Sequence, residues 1–594
     1  MATPTKAVIL AAGLGSRLAP LTLDRPKPLI PFQGEALVGR ILRQLCGWGV
    51  EDVILNLHHR ADRMLEALPS LRPDGMRLSL SYEPVLLGTG GPLRRMAWFL
   101  GTEPFWMVNA DLVFELDPTP LLRAHARSKA LASLWMVPDQ GPRTVRVIGN
   151  RVSDFRAGAQ GTHTFSGLHL LSPRILDFLP AEETPGSIIT AYEAAMRAGE
   201  TVWGVEAPGS HWADLGTPEQ YLDAHGGASV VWPGARMAAS TRLTRAIVGD
   251  GVRLRGGREA CGMVVSPDIG LVAEERRLMP DAEAVEFLDA RGSDRDFRRV
   301  HGPAGTVILM RRGDVRAENA RFSGHTRFLA RQGLRVPGIL WESADGHTWC
   351  LEDLGRVDLL RRGREGTPER NRRDMRKALS VVARLHARRV ARAAARLDLE
   401  LPFRPALYAW EHQLFLQEFL ARHDPGADAA ALEACLGGLS QGLADIRPVL
   451  LHRDLQSTNM LWHQGAPALI DYQGMRLGPA AYDLGSLLAD PYVAWPLADQ
   501  LRFLGDYNRK ADAAVDASTY RAGAMQRLCQ ALGAYGRLGA KEETRRFLAH
   551  IPAAVRQIRE LSDGDPAWET LHRWATRFLQ RQPPGNRLES EKPL

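Results

Sequence analysis

The chain has 594 residues, 45% hydrophobic and 24% charged, an ordinary composition for folded globular domains and long enough for about three to five of them. Its net charge of +7 comes from 75 basic against 68 acidic residues; the basic ones are 68 arginines and 7 lysines, dispersed rather than gathered in one arm, which argues against a nucleic-acid partner. No run approaches the roughly 18 uninterrupted apolar residues of a membrane helix, MATPTKAVILAAG lacks the pattern of a signal peptide, and five scattered cysteines exclude a disulfide scaffold or a CxxC zinc site, so a cytoplasmic location without a membrane partner is expected.

Residues 1–227 alternate short apolar runs with amphipathic stretches. KAVILAAG reads as a strand entering a turn, EALVGRILRQLCGWG as a helix, VEDVILNL as a strand, and RLSLSYE and FWMVNAD as further strands. That alternation predicts an α/β domain with a Rossmann-like, mostly parallel sheet covered by helices on both faces. Over 228–275 the texture changes. Between Ala228 and Val265 short apolar pairs recur about every six residues, and IVGDGV fits one turn of a hexapeptide coil. The span admits about two coils or a β-rich linker, and no chemistry is assigned to it. Residues 276–366 read as three strands, the helix ENARFSGHTRFLARQG and the strand TWCLEDLG. Residues 367–580 are mainly helical, broken by PVLLHRDLQSTNMLWHQGAPALIDYQ, and 581–594 read as a disordered polar tail.

The first chemical signal is VILAAGLGSRLAPLTLDRPKPLIP, residues 8–31. A buried strand runs into a loop at Ala12, Gly13 and Gly15, where glycines let backbone N–H groups approach a phosphate closely. Arg17 and Lys27 would neutralise a triphosphate, and Pro26 and Pro28 hold Lys27 on a stiff segment. Asp111 ends the strand FWMVNAD and Asp214 lies in HWADLGTP. Two carboxylates at strand ends on one sheet edge can share a Mg²⁺ ion.

These residues resemble the sugar-1-phosphate nucleotidyltransferases, whose signatures LAAGxGxRLxPLT, PKPL, an xAD aspartate and D-x-GT stand here as LAAGLGSRLAPLT, RPKPLIP, the Asn109–Asp111 segment and DLGTP. The resemblance implies attack by a sugar-1-phosphate oxygen on the α-phosphorus of a nucleoside triphosphate, releasing pyrophosphate. Asp111 and Asp214 would hold Mg²⁺, and Arg17 and Lys27 would cradle the triphosphate as the catalytic cations. YEPVLLGTGGPL resembles the segment against nucleobase and sugar, with Glu83 and Gly88 on the nucleotide and Gly91 on the sugar. Asn109, and Ser166 and Gly167 of FSGLHLLSP, are implied to face the sugar. Many relatives carry an EKP lysine near the sugar phosphate; VSDFRAG stands here instead, with Arg156 as its substitute.

The second signal is LHRDLQSTNMLWHQGAPALIDYQG, residues 451–474. A kinase needs a carboxylate beside the attacking hydroxyl and acceptors for Mg²⁺ on the nucleotide phosphates; H-x-D-x4-N followed by Asp supplies them. Asp454 would orient and deprotonate the hydroxyl, Asn459 and Asp471 would bind the metal, and His452 would be a structural hydrogen-bonder. The stretch resembles the aminoglycoside and choline phosphotransferase family, which shares the protein-kinase fold. That implies a bilobal α+β domain, with Leu385 and His386 on a family helix, Asp483 bracing the catalytic loop and LEDLG, including Glu352, as the hinge that receives adenine. The smaller lobe departs from the pattern: no lysine occurs between Lys129 and Lys377. Arg311 of VILMRRG is the nearest cation to the missing strand lysine, and DARGSDRDFRR, with Gly292, Ser293 and Arg295, is the candidate phosphate-covering turn. Either nucleotide binding is reorganised or the domain is a pseudokinase; the intact Asp454, Asn459 and Asp471 favour activity.

An anomeric sugar kinase makes the sugar-1-phosphate that a nucleotidyltransferase consumes. GSDRDFRR, LEDLG and the HRD-x4-N set resemble the anomeric kinases of cell-wall sugar recycling, and the first half resembles the uridylyltransferase that follows them. The resemblance implies a bifunctional enzyme of peptidoglycan recycling, using ATP and UTP as substrates and Mg²⁺ as cofactor, that phosphorylates N-acetylmuramate or N-acetylglucosamine at the anomeric hydroxyl and makes the UDP-sugar. Its partners would be small-molecule sugars and nucleotides. LGTGGPL also resembles mannose-1-phosphate guanylyltransferases, joined to a sugar kinase or pseudokinase module. A choline kinase fused to a phosphocholine cytidylyltransferase would need an aromatic or acidic cage, for which YAWEHQLFLQEFL offers Tyr408, Trp410, the substrate-binding candidate Glu411, and Phe415, if they are not helix core. The last alternative is a nucleotidyltransferase regulated by an inactive kinase-like module.

Overall fold

The computed structural model describes residues 3–128, 130–288, 294–313, 315–540 and 542–581. Two compact units divide the chain: Met1–Leu288 with Val300–Gly305, and Asp289–Arg299 with Thr306–Leu594. No helix among the described residues is long and apolar enough to cross a membrane.

The first unit is built on a nine-stranded sheet in the order Arg77–Tyr82, Asp52–Leu57, Lys6–Leu10, Phe105–Asn109, Thr164–Leu171, Ala132–Val137, Val202–Val205, Arg151–Asp154 and Arg146–Ile148. The first four strands run parallel. Thr164–Leu171 runs antiparallel to both its neighbours. The first four are joined largely through helical crossovers, as parallel neighbours require, whereas the chain between Ala132–Val137 and Thr164–Leu171 is taken up by the two short strands Arg146–Ile148 and Arg151–Asp154. Alternate residues of each central strand enter opposite layers. Ala7, Ile9, Val53 and Leu55 pack with Val38, Ile41, Met64 and Leu68, from the helices Leu37–Gly47 and Ala61–Leu71. Val8, Ile54 and Met107 pack with Ile188, Ala191 and Tyr192 of the helix Ile188–Arg197. Burial on both faces explains the continuous apolar runs read in the sequence.

The hexapeptide-like stretch forms parallel rungs. Val231 lies beside Val248 and Val248 beside Val264, while Met237 lies beside Leu254. Ala246, Val248, Val252, Leu254, Ala260 and Val264 fill the space between them.

The second unit begins with antiparallel strands: Thr348–Glu352 pairs on one side with Gly305–Arg311 and on the other with Ile339–Glu342. The helix Phe322–Arg331 packs Phe322 and Leu329 against Trp349 and Leu351. Helices dominate the remainder, and their apolar faces join the same core. Between them Val449–Leu451 pairs with Arg476–Gly478, and Met460–His463 with Ala466–Leu469, each antiparallel. These two ladders frame the segment that carries His452, Asp454, Asn459 and Asp471.

Candidate active sites

In the first unit Val8 lies between Ile54 and Met107 and Leu10 between Asn56 and Asn109. The glycine-rich loop therefore leaves the sheet at the carboxyl ends of parallel strands. Ala11 N donates to Asn56 Oδ1 at 2.6 Å, Asn56 Nδ2 donates to Glu83 Oε1 at 2.7 Å, and Leu87 N donates to Glu83 Oε2 at 2.8 Å. Asn56 and Glu83 are fully buried. Glu83, expected beside the nucleobase, is instead a brace beneath the loop, because both its carboxylate oxygens are spent on groups of the scaffold. Ala12 is also buried. Beyond it the loop opens: among the described residues, none outside its chain neighbours comes within 4 Å of where a side chain on Gly13 would begin. Gly15 adopts the left-handed conformation at φ +64°, its carbonyl accepts from Thr22 Oγ1 at 2.9 Å, and a Cβ there would stand 2.9 Å from Thr22 Cγ2.

Asp111 and Asp214 come together across this loop. His211–Asp214 pairs antiparallel with Leu112–Glu115, placing Asp214 opposite Leu112, and Leu215 N donates to Asp111 O at 3.2 Å. Lys27 Nζ lies 2.6 Å from Asp111 Oδ2. Burial lifts the Asp214 carboxyl above its ordinary value and the Asp111 charge pushes the same way, opposed by Lys27, Arg17 and the Gly216 N–H. Arg17 reaches the same place: a Cβ on Gly216 would meet Arg17 Nη2 at 2.8 Å. Four residues, one from each of the four signatures, thus form one electrostatic cluster. Two neighbouring hard carboxylates suit a divalent cation that keeps its other positions for phosphate and water. Among the described residues no group of three or more His, Cys, Asp or Glu forms a self-contained metal cage.

The remaining first-unit candidates divide. Asn109 stands at the end of its strand, and a Cβ on Gly167 would come 2.7 Å from Asn109 Nδ2. Gly88 (φ +74°) and Gly91 are needed for packing, since a Cβ would stand 2.6 Å from Gly186 O on the first and 2.4 Å from Thr184 O on the second. Ser166, expected to face the sugar, is buried, and its Oγ accepts from Leu168 N at 3.2 Å within the strand bulge. Arg156, expected at the sugar phosphate, is exposed and pairs with Glu193 at 2.9 Å, because the turn after Arg151–Asp154 carries it toward the helix Ile188–Arg197.

In the second unit the catalytic-type loop is pinned at both ends by buried carboxylates. Asp483 accepts from His452 N at 2.7 Å and Arg453 N at 2.9 Å, and His386 Nε2 lies 3.2 Å from it. Asp490 accepts from Ser457 N at 2.8 Å and Ser457 Oγ at 2.6 Å. His452 Nε2 donates to Ile470 O at 2.9 Å, a structural bond rather than a catalytic one. Asn459 Nδ2 donates to Asp454 O at 2.8 Å. Arg453 (φ +79°) and Asp471 (φ +66°) occupy the left-handed region, which L side chains enter at a cost and which clusters in functional loops. Burial pushes the Asp471 carboxyl up, but Arg295 and the Gln473 amide, which donates at 3.0 Å, hold it down to about 2.

Arg295, expected in the phosphate-covering turn, is buried as the ion-pair partner of Asp471 and donates to Gln473 Oε1 at 2.9 Å. Arg311, expected as the stand-in for the missing lysine, is exposed at the last residue of Gly305–Arg311. Ser293 and Gly292 lie outside the described residues. Glu352 pairs with Arg335 and accepts from Gly338 N at 3.2 Å, so its carboxylate is committed to the loop behind the hinge. That loop lines a cavity of 510 Å³ with Thr326, Pro337 and Ile339, and none of Asp454, Asn459 or Asp471 lines it. Glu411 departs from its expected substrate contact. It is 2% exposed and accepts from Tyr482 Oη at 2.8 Å and Gln526 Nε2 at 2.9 Å; Tyr408 and Phe415 are fully buried. Those three residues are helix core, whereas Trp410 is exposed at the surface, so the four do not form a cage. Sequence reasoning missed Asn56, Asp490 and Arg527, whose Nη2 lies 3.3 Å from Asp454 Oδ1. None belongs to a motif, although a lone acid at the end of the apolar run YDLGSLLAD was a usable signal for Asp490.

A family model described as "Nucleotidyl transferase" matches residues 6–229, and one described as "Phosphotransferase enzyme family" matches residues 284–525. The chain joins a nucleotidyl transferase domain to a phosphotransferase-family domain. Both are transferase families, and each range contains one of the two clusters. The nucleotidyl transferase domain is similar to mannose-1-phosphate guanylyltransferase catalytic subunit beta of Dictyostelium discoideum, 30% identical over 231 residues, 37% of this chain and 64% of that protein. It is also similar to mannose-1-phosphate guanylyltransferase 1 of Arabidopsis thaliana, 28% identical over 280 residues, 45% of this chain and 76% of that protein. The chain thus spans less than two thirds of the Dictyostelium relative. Among solved structures, HddC from Yersinia pseudotuberculosis is 25% identical with a TM-score of 0.33, covering 37% of this chain and 98% of that one.

Proposed function

We propose that the chain is a bifunctional enzyme: its phosphotransferase-family domain phosphorylates an amino sugar, N-acetylmuramate or N-acetylglucosamine, at the anomeric hydroxyl with ATP, and its nucleotidyl transferase domain transfers uridylyl from UTP to the sugar-1-phosphate. The observation that carries this reading is the pair of separate acidic centres, Asp111 with Asp214 beside Lys27 and Arg17, and Asp454 with Asn459 and Asp471, one in each compact unit. In the first, Arg17, Lys27 and the N–H groups around Gly13 receive the triphosphate. In the second, Asp454 accepts the proton of the attacking hydroxyl. Mg²⁺ on Asp111 and Asp214, and on Asn459 and Asp471, would offset phosphate charge at each centre. The product of one reaction is the substrate of the other, which gives the fusion a chemical reason. The sugar and base rest on the resemblance of GSDRDFRR, LEDLG and HRD-x4-N to cell-wall recycling kinases. The nucleotidyl transferase relatives named above are guanylyltransferases of mannose-1-phosphate, so the test includes that outcome. Purified protein is incubated with ATP, each NTP in turn, and N-acetylmuramate, N-acetylglucosamine, mannose or choline, and products are read by mass spectrometry. UDP-N-acetylmuramate or UDP-N-acetylglucosamine from unphosphorylated sugar is expected. GDP-mannose or CDP-choline would replace this reading, and product only from supplied sugar-1-phosphate would mark the second domain as catalytically inactive.

A further inference from the structure

Asp454 faces two guanidinium groups. Arg453 Nη1 lies 3.9 Å from Asp454 Oδ2 and belongs to the motif itself. The other, Arg527, stands 3.3 Å from Asp454 Oδ1 although it is 73 residues further along, in the middle of the helix Ala517–Gly539. Glycine is what delivers it. A Cβ on Gly485 would stand 2.5 Å from Ala524 Cα, and one on Gly523 would stand 2.6 Å from the carbonyl of Ala481. The helices Ala480–Leu488 and Ala517–Gly539 therefore meet backbone to backbone. Arg527 follows Gly523 by one turn on the same helix face, so this close approach aims it at the catalytic-type loop.

Its side chain is 8% exposed and held at three points: Nε donates to Ser486 Oγ at 3.3 Å, Nη1 pairs with Gln530 Oε1, and Nη2 reaches Asp454. A planar guanidinium so anchored presents a fixed donor, which a lysine would not. Asp454 keeps 34% of its side chain exposed. Oδ1 is tied to Arg527, while Oδ2 has Arg453 near it only at 3.9 Å. One oxygen is anchored and the other is available to a substrate.

We propose that Arg527 is the positioning residue of the phosphoryl-transfer site, fixing Asp454 Oδ1 so that Oδ2 meets the acceptor hydroxyl. The inference rests on the assignment of Asp454 given under the proposed function. In the step it serves, the acceptor O–H bond breaks and its proton passes to Asp454 Oδ2. The hydroxyl oxygen bonds to the γ-phosphorus of ATP, and the bridging oxygen leaves with its electron pair on ADP.

The test uses the full chain with ATP and N-acetylmuramate or N-acetylglucosamine, comparing wild type, D454A, R527M, R527K and S486A. Each is also assayed for nucleotidyl transfer from supplied sugar-1-phosphate and for its melting curve. R527M is expected to lose about a hundredfold in kcat, the scale of a misplaced catalytic group, with KM for ATP changed less than about twofold and R527K recovering part of the loss. S486A, which removes only the Nε anchor, is the milder second variant should R527M fail to fold, and is expected to lose severalfold in kcat with an unchanged melting curve. Inactive D454A with R527M and S486A at wild-type kcat would overturn this proposal alone, as would a loss confined to KM for ATP or R527K no better than R527M. A wild type without phosphotransfer, or an active D454A, would overturn the functional reading and this inference together.

Discussion

Lys27 and Asp353 show how a single charged side chain is used differently in the two units. Lys27 is bonded to Asp111, and Asp214 is already raised by burial and by Asp111. Its removal leaves two neighbouring carboxylates with less positive charge around them. Lys27→Met should therefore lower the nucleotidyl transfer rate by about a hundredfold, the usual effect of deleting one preorganised electrostatic partner, while phosphotransfer stays at the wild-type rate in the same preparation. Asp353 serves stability. Burial pushes its carboxyl up, but the bonds and charge of Arg299, at 2.6 and 2.9 Å, outweigh that and hold it at about 2 against an ordinary 3.8. A depressed carboxyl contributes stability that is complete above its unfolded value and fades as pH falls from about 4 towards 2, roughly 2 kcal/mol in all. Arg299→Met should lower the melting temperature of the second unit at pH 7, and the gap to wild type should narrow below pH 4.

At the scale of elements, the strand Thr164–Leu171 illustrates a local irregularity that positions a site. Its register against Ala132–Val137 shifts between Phe165 and His169, and Gly167 sits within the bulge at φ +85°. The left-handed conformation alone costs an L residue about 1–2 kcal/mol, and a methyl group there would press on Asn109. Gly167→Ala should lower the melting temperature of the first unit and raise KM for the sugar-1-phosphate more than KM for the nucleotide, as steady-state kinetics would read directly. The same logic of close approach governs Gly485 and Gly523, where two helices touch and carry Arg527 into place. Strands and helices of the first unit were legible because burial on both sheet faces writes long apolar runs. The bulge was not, because a glycine in FSGLHLLSP reads equally as a bulge or a substrate contact.

For the molecule as a whole, the proposal of one centre in each unit implies separable losses. Asp454→Ala should abolish ATP-dependent phosphorylation and leave nucleotidyl transfer from supplied sugar-1-phosphate intact, while Asp111→Ala should do the converse; loss of both reactions in a folded variant would refute the division. The order of residues was enough to place the glycine-rich loop, Arg17, Lys27, Asp111 and Asp214 in one half and Asp454, Asn459 and Asp471 in the other, because phosphate chemistry demands glycines, cations and hard oxygens at short, recognisable spacings. It was also enough to separate a sheet with helical layers from a helical lobe, since periodicity follows from burial. The folded chain alone decided which chemically suitable residues face a site and which hold it up. Glu83 and Glu411 carry the right groups but spend them on Asn56, Leu87, Tyr482 and Gln526. Arg527 sits in no motif but is brought to Asp454 by helix packing across 73 residues. A side chain's direction and its partners depend on contacts between distant segments, and spacing along one segment does not encode them.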